Sequence, residues 1–174
     1  MTMSEYMREL RAKVGSRLLE VPSVSIVVRD KQDRILLGRH SNRGKWVTPG
    51  GAVEPLEVPA DAAVREMWEE TGLVVELTGI VGVYGGPEFV VRYRNGDETS
   101  YLMVVFEARR TGGELRADGV EVLELGYFGK DEAMRLDMPV WMPEILRDVF
   151  DGAHAAFRRP TWSPPRTIRR SGAS

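Results

Sequence analysis

The sequence of 174 residues contains no cysteine and only two histidines, His40 and His154. The first absence excludes a disulfide framework, a thiolate zinc site, an iron–sulfur cluster and a cysteine nucleophile. The second leaves too few imidazoles for a metal site built from histidine. Long apolar runs are missing too. The longest are strand-sized, so no helix is expected to cross a membrane. Residues 1–10 mix Glu5, Arg8 and Glu9 among apolar side chains, without the apolar centre of a signal peptide, which makes a cytoplasmic protein the expectation. Positive charge is not in excess: 24 basic against 26 acidic side chains give a net charge of −2, with no global field for holding nucleic acid. That balance hides an asymmetry. Arg158, Arg159, Arg166, Arg169 and Arg170 lie in a terminal stretch with no acid, and without them 19 basic side chains face 26 acidic ones, a charge of −7.

What is present fits one domain of ordinary size. Tyr6 or Met7, Leu10 and Val14 recur at helical spacing over 4–14, with Ser4 as N-cap and Gly15 as stop; this amphipathic helix, set in an N-terminal segment 1–20, needs a body or a partner chain to dock on. The apolar runs 24–28 and 35–37, separated by the polar stretch 29–34, predict a hairpin. Residues 41–51 read as a loop. Pro59 opens a helix that runs to Thr71 and stops at Gly72. Strands follow at 74–84, 89–93, 101–108 and 120–128, with Asn95-Gly96 signalling a two-residue turn between the second and third. A closing helix is expected over 141–157, and the proline- and arginine-containing tail 158–174 is expected to be disordered. The whole reads as a mixed β-sheet with two or three helices, in the α+β or α/β class.

The chemistry is concentrated in the helix at 59–71. Glu66, Glu69 and Glu70 fall on one face, within an arc of about 100°. Ala60, Ala63, Val64, Met67 and Thr71 form the apolar stripe beside it. Glu57 precedes the helix, and Pro49-Gly50-Gly51 makes a backbone-exposing turn upstream. The stretch reads Gly51-x5-Glu57-x7-Arg65-Glu66-Met67-x-Glu69-Glu70-x-Gly72-Leu73. It resembles the Nudix box, the signature of the Nudix hydrolases, in every glycine, glutamate and arginine; Met67 stands where the family usually has Ile, Leu or Val. The strand–loop–box–strand order from about 22 to 128 agrees with the family fold, a mixed β-sheet sandwiched between helices, here a domain at 21–157.

Carboxylate oxygens without His or Cys beside them are hard ligands, suited to Mg²⁺ or Mn²⁺ rather than zinc. The resemblance implies hydrolysis of the diphosphate in a nucleoside diphosphate linked to another moiety. It makes Glu66, Glu69 and Glu70 metal ligands, adds the carbonyl of Gly50 or Gly51, gives Glu57 a role through water, and has Arg65 orient the carboxylates. The general base stays open between a box glutamate and an acid on a distant loop. For that acid Glu121 is preferred over Glu124, with Glu88 and Asp118 as weaker alternatives.

Substrate contacts are less legible. Arg39, His40, Arg43 and Lys45 precede the box and are candidates to meet phosphates. Trp46 either stacks a base or packs. Tyr84, Phe89, Tyr93 and Tyr101 flank the hairpin, where one or two could line a base pocket. Pro87 falls near a proline of ADP-ribose hydrolases, although a Gly85-Gly86-Pro87 turn explains it equally well. The expected substrate is a small nucleotide, a (d)NTP or an ADP-ribose-like compound. Two alternatives are an RNA 5′-end pyrophosphohydrolase, aided by the arginine tail, and a nucleotide sensor without catalysis. The N-terminal helix and the hairpin offer surfaces for a homodimer.

Overall fold

In a computed structural model, residues 4–42, 44–93 and 95–157 are described. Arg43 and the tail 158–174 therefore lie outside the described residues. The elements are α1 (Glu5–Val14), β1 (Leu19–Val28), β2 (Ile35–His40), β3 (Trp46–Val47), α2 (Pro59–Thr71), β4 (Leu73–Tyr84), β5 (Val90–Arg92), β6 (Glu98–Gly113), β7 (Val122–Phe128), α3 (Lys130–Ala133) and α4 (Met142–Phe150). No helix among them is long and apolar enough to cross a membrane.

The 16-residue β6 is the spine. β1 runs parallel along one of its edges, while β5 and then β4 pair antiparallel with it. Both faces of this sheet are covered, which is why β1 is buried without a break from Ser23 to Val28 rather than at alternate residues. Val24, Ile26 and Val28 pack with Phe106 against Ala62, Ala63 and Met67 of α2. Val27, Met103 and Val105 pack on the other side with Ile145, Leu146 and Val149 of α4. A second, antiparallel sheet has the order β3-β2-β7.

The turn expected at 29–34 forms, but the hairpin does not. Asp30 and Arg34 close it, and its carboxylate accepts from the backbone of Gln32 and Arg34. Beyond a single bridge at Arg29 and Ile35, β1 and β2 part into different sheets. The reason is competition for an edge. Val24 N–H donates to the Gly51 carbonyl and Ile26 N–H to that of Pro49, both at 2.9 Å. The Pro49–Gly51 turn thus occupies the side of β1 that a hairpin partner needs.

Three further expectations change. The turn at Asn95-Gly96 closes between Tyr93 and Asp97, and among its described residues only Gly96 has positive φ, at 89°. Asn95 lacks the positive φ that the expected two-residue turn needs at both central positions, so that turn does not form. The closing helix ends at Phe150 instead of 157: Gly152 turns the chain, and Ala155 and Ala156 hydrogen-bond to the β4 backbone at Ile80, Val81 and Val83. The short α3 was not anticipated. α1 lies where its spacing put it, with Ser4 accepting from Met7 N–H. It docks on its own chain through Arg11, whose buried guanidinium donates to the carbonyls of Gly15, Arg17 and Glu98 and to Thr99 Oγ1.

Candidate active site

α2 carries the acidic face and anchors it through its apolar stripe. Glu70 is turned inward, only 3% exposed, and its Oε2 accepts from Gly50 N–H at 2.9 Å. Burial pushes its carboxyl up to about 8; the Gly50 hydrogen bond opposes the shift, and the charges of Glu66, Glu121 and Asp118 add to it. Glu66 is also raised, chiefly by burial, against the opposing pull of Arg65. Glu69 is exposed.

Arg65 holds these groups in place with all five of its N–H bonds. Nε and Nη2 grip Glu57 at 2.8 and 2.9 Å, Nη1 reaches Glu66 at 2.8 Å and Glu69 at 3.0 Å, and Nη2 also donates to the Ala52 carbonyl at 3.2 Å. The hydrogen bond from Arg65 holds the Glu57 carboxyl below its ordinary value, and the same network raises the guanidinium's own affinity for its proton. The glycines upstream are required for different reasons. Gly50 has φ of 150°, and a Cβ there would lie 2.8 Å from Ser25 Cα of β1. A Cβ on Gly51 would fall into the Glu66 carboxylate, 2.5 Å from its Cδ.

Glu121, the preferred candidate for the distant acid, lies in the segment before β7. Asp118 accepts from the backbone N–H of Val120, Glu121 and Val122, and these bonds outweigh burial to keep its own carboxyl low. Ser41 N–H donates to the Glu121 carbonyl at 2.8 Å. A bulge between Arg39 and His40 sets Val122, not Leu123, opposite His40 and draws Glu121 one position nearer. As a result one ligand atom each from His40, Glu70 and Glu121 lie within 4.8 Å of one another. Burial lowers the His40 pKa. The expectation of a carboxylate cluster without histidine nearby is corrected here. His40 lies 26 residues before Glu66 in the chain, and only the pairing of β2 with β7 brings it in.

Glu121 lines one of two adjoining cavities and His40 the other. One, about 710 Å³, is lined by Arg65, Glu66, Glu69 and Glu121 and by Met7 and Arg11 of α1. The other, about 150 Å³, has His40, Gly50 and Gly51 at one end and Val47, Met103 and Trp141 in its wall. Asn42, Tyr93 and Tyr101 border both. The tyrosine hydroxyls are 2.5 Å apart.

Several expected substrate contacts lie elsewhere. Arg39 faces its cross-strand neighbour Glu124, Nε to Oε2 at 2.9 Å, on an exposed surface. Tyr84 is a core residue whose hydroxyl donates to Asp148 and whose ring stacks on Phe89. Trp46 packs edge-on against Phe128, with ring centres 4.9 Å apart. Lys45 donates to Asp137 and the Met138 carbonyl while bordering the smaller cavity. Glu88 borders neither cavity. No local signal marks Asn42, Trp141 or α1 as cleft walls, because each depends on tertiary placement.

Carboxylates gathered by a single arginine, with the buried Glu70, a histidine and a backbone amide beside them, suit a divalent cation and define a centre for hydrolytic chemistry on a charged substrate. The comparisons give the family. The model of the NUDIX domain matches residues 19–149. A putative 8-oxo-dGTP diphosphatase of Bacillus subtilis is 37% identical over 132 residues, 75% of this chain and 78% of its own. An ADP-ribose pyrophosphatase of Methanocaldococcus jannaschii is 35% identical over 124 residues, 69% of each chain. The crystal structure of a MutT protein from Methanosarcina mazei superposes with a TM-score of 0.65 at 22% identity, covering 76% of this chain and 94% of that one. The chain belongs to the Nudix family, has its fold, and is a MutT-like hydrolase of phosphoric anhydride bonds.

Proposed function

We propose that this chain hydrolyses the diphosphate linkage of a small nucleotide using Mg²⁺ or Mn²⁺ held by Glu66 and Glu70, with Glu69 and Glu57 acting at the rim. The observation that carries the reading is the convergence of Glu70, Glu121 and His40 within 4.8 Å beside an open cleft that Glu66 and Glu121 line. When bound, the cation supplies charge screening for the diphosphate and an acidified water. Gly51's carbonyl already accepts from Val24 N–H, so Gly50's is the better placed of the two to join the ion. Arg65, with every donor engaged, orients carboxylates and does not reach for phosphate. Glu121 joins the donor set through one carboxylate oxygen and takes the proton from the attacking water with the other. The nucleobase enters the smaller chamber, between the tyrosines and Trp141.

A (d)NTP and an ADP-ribose-like compound are both consistent with the activities named for the two relatives. A nucleotide-library hydrolysis screen with each metal, with products identified, separates them. Release of pyrophosphate or phosphate from a triphosphate supports the first, and paired monophosphates support the second. No cleavage of any diphosphate or triphosphate would sink the reading. The five tail arginines favour a second substrate, the 5′ end of RNA. Salt-sensitive RNA binding that disappears on deletion of 158–174 would support it.

A further inference from the structure

We propose that His40 is itself a metal ligand, giving the centre a nitrogen donor beside Glu70 and Glu121 and a preference for Mn²⁺ over Mg²⁺. The inference rests on the reading of this cluster as a divalent metal site and deepens it. The three donors come from three separate elements, the end of β2, α2 and the segment before β7, and each is fixed by its own backbone bonds. His40 N–H donates to the Lys45 carbonyl, and its carbonyl accepts from Gly44 N–H, both at 2.8 Å. Glu70 is tied to Gly50. Glu121 is held by the Asp118 turn and by Ser41 N–H.

An octahedral ion with bonds of about 2.1 Å keeps its donors about 3 Å apart when adjacent and about 4.2 Å when opposite. The three donor atoms, within 4.8 Å of one another, lie near these separations. The imidazole is available for this. Its ring contact, Asn42 N–H to Nδ1 at 3.4 Å, is longer than a firm hydrogen bond. Glu70 is buried, so the ion meets a donor set screened from bulk water on that side. Imidazole suits the later divalent metals, whereas Mg²⁺ prefers oxygen. A mixed set therefore shifts selectivity away from Mg²⁺ and toward Mn²⁺ and metals beyond it.

The experiment is electron spin-echo envelope modulation on the full chain with one equivalent of Mn²⁺. The expected spectrum carries ¹⁴N modulation, which changes to the ¹⁵N pattern when the protein is made with ¹⁵N-histidine. His154, exposed and the only other histidine, provides the control: H154Q keeps the signal. In H40Q the signal is lost, Mn²⁺ still binds through the carboxylates, and the preference for Mn²⁺ over Mg²⁺ falls by about tenfold, at the low end of what losing a coordination-shell group costs. The labelled wild-type protein assigns the nitrogen even if H40Q does not fold. Bound Mn²⁺ with no histidine coupling would overturn the proposal and leave the carboxylate site intact. Failure of Mn²⁺ to bind would overturn both.

Discussion

At the scale of single residues, Glu70 stands out as a carboxyl group with only 3% of its surface exposed. Its burial sets two expectations. Replacing it with glutamine keeps the shape and the acceptor for Gly50 N–H but removes the charge, and metal-dependent turnover is expected to fall at least about 100-fold with the circular dichroism spectrum unchanged. Turnover at the parent rate would remove Glu70 from the site. The second expectation concerns pH. A carboxyl held at about 8 in the folded chain and near 4.5 in the unfolded one keeps its proton longer when folded. The native state then binds more protons between those values, so metal-free stability falls as pH rises through that window, by up to about 1.4 kcal/mol per pH unit. Melting curves of metal-free protein from pH 5 to 8 are expected to drop more steeply for wild type than for E70Q, and saturating divalent metal is expected to flatten the difference.

At the scale of elements, the turn at Pro49–Gly51 serves the site and the sheet together. G51A places a methyl group against Glu66, and the expected result is metal affinity weakened at least about tenfold in a protein that still folds, read by calorimetric titration. G50A forces an unfavourable φ and a clash with β1, and a loss of about 1–3 kcal/mol is expected by denaturant unfolding. α1 hangs on Arg11. Arg11→Met keeps the apolar stem but removes four donated bonds, so a loss of about 2–3 kcal/mol and faster hydrogen exchange over 5–14 are expected. These elements also mark how far the sequence could be read. The box was legible to the residue, because its chemistry is local: Pro59 and Gly72 bound the helix, and a 3.6-residue period sorts its carboxylates from its apolar stripe. The hairpin at 29–34 was not, since turn and apolar runs are local signals while the competitor for β1's edge lies some 20 residues on. The closing helix reads too long because the apolar pattern after Gly152, used against β4, looks like its continuation.

For the whole molecule, the cleft is a product of assembly. Its floor comes from α2, its acid from the segment ahead of β7, and part of its rim from α1. Glu121 could be named beforehand from its place before Tyr127-Phe128, but its approach to Glu70 depends on two sheets meeting. His40's place depends further on a bulge that no spacing rule foretells. Because α1 lines the cleft without supplying any box carboxylate, deleting residues 1–17 is expected to raise KM several-fold while changing kcat by no more than about twofold. Steady-state kinetics on the truncated chain check this, and a collapse of kcat with KM preserved would place α1 in the reacting centre instead.

The Pro49–Gly51 turn, lying along β1 as a stand-in strand, has a consequence for how occupancy can be sensed. Val24 and Ile26 amides are fastened to the same short segment whose Gly50 N–H holds Glu70. A ligand that grips the turn therefore clamps the central sheet, and filling the cleft registers as slower amide exchange deep in the core. Thermal-shift profiles across metals and nucleotides thus become a direct reporter of the site, because the protein's rigidity and its ligand share one piece of backbone.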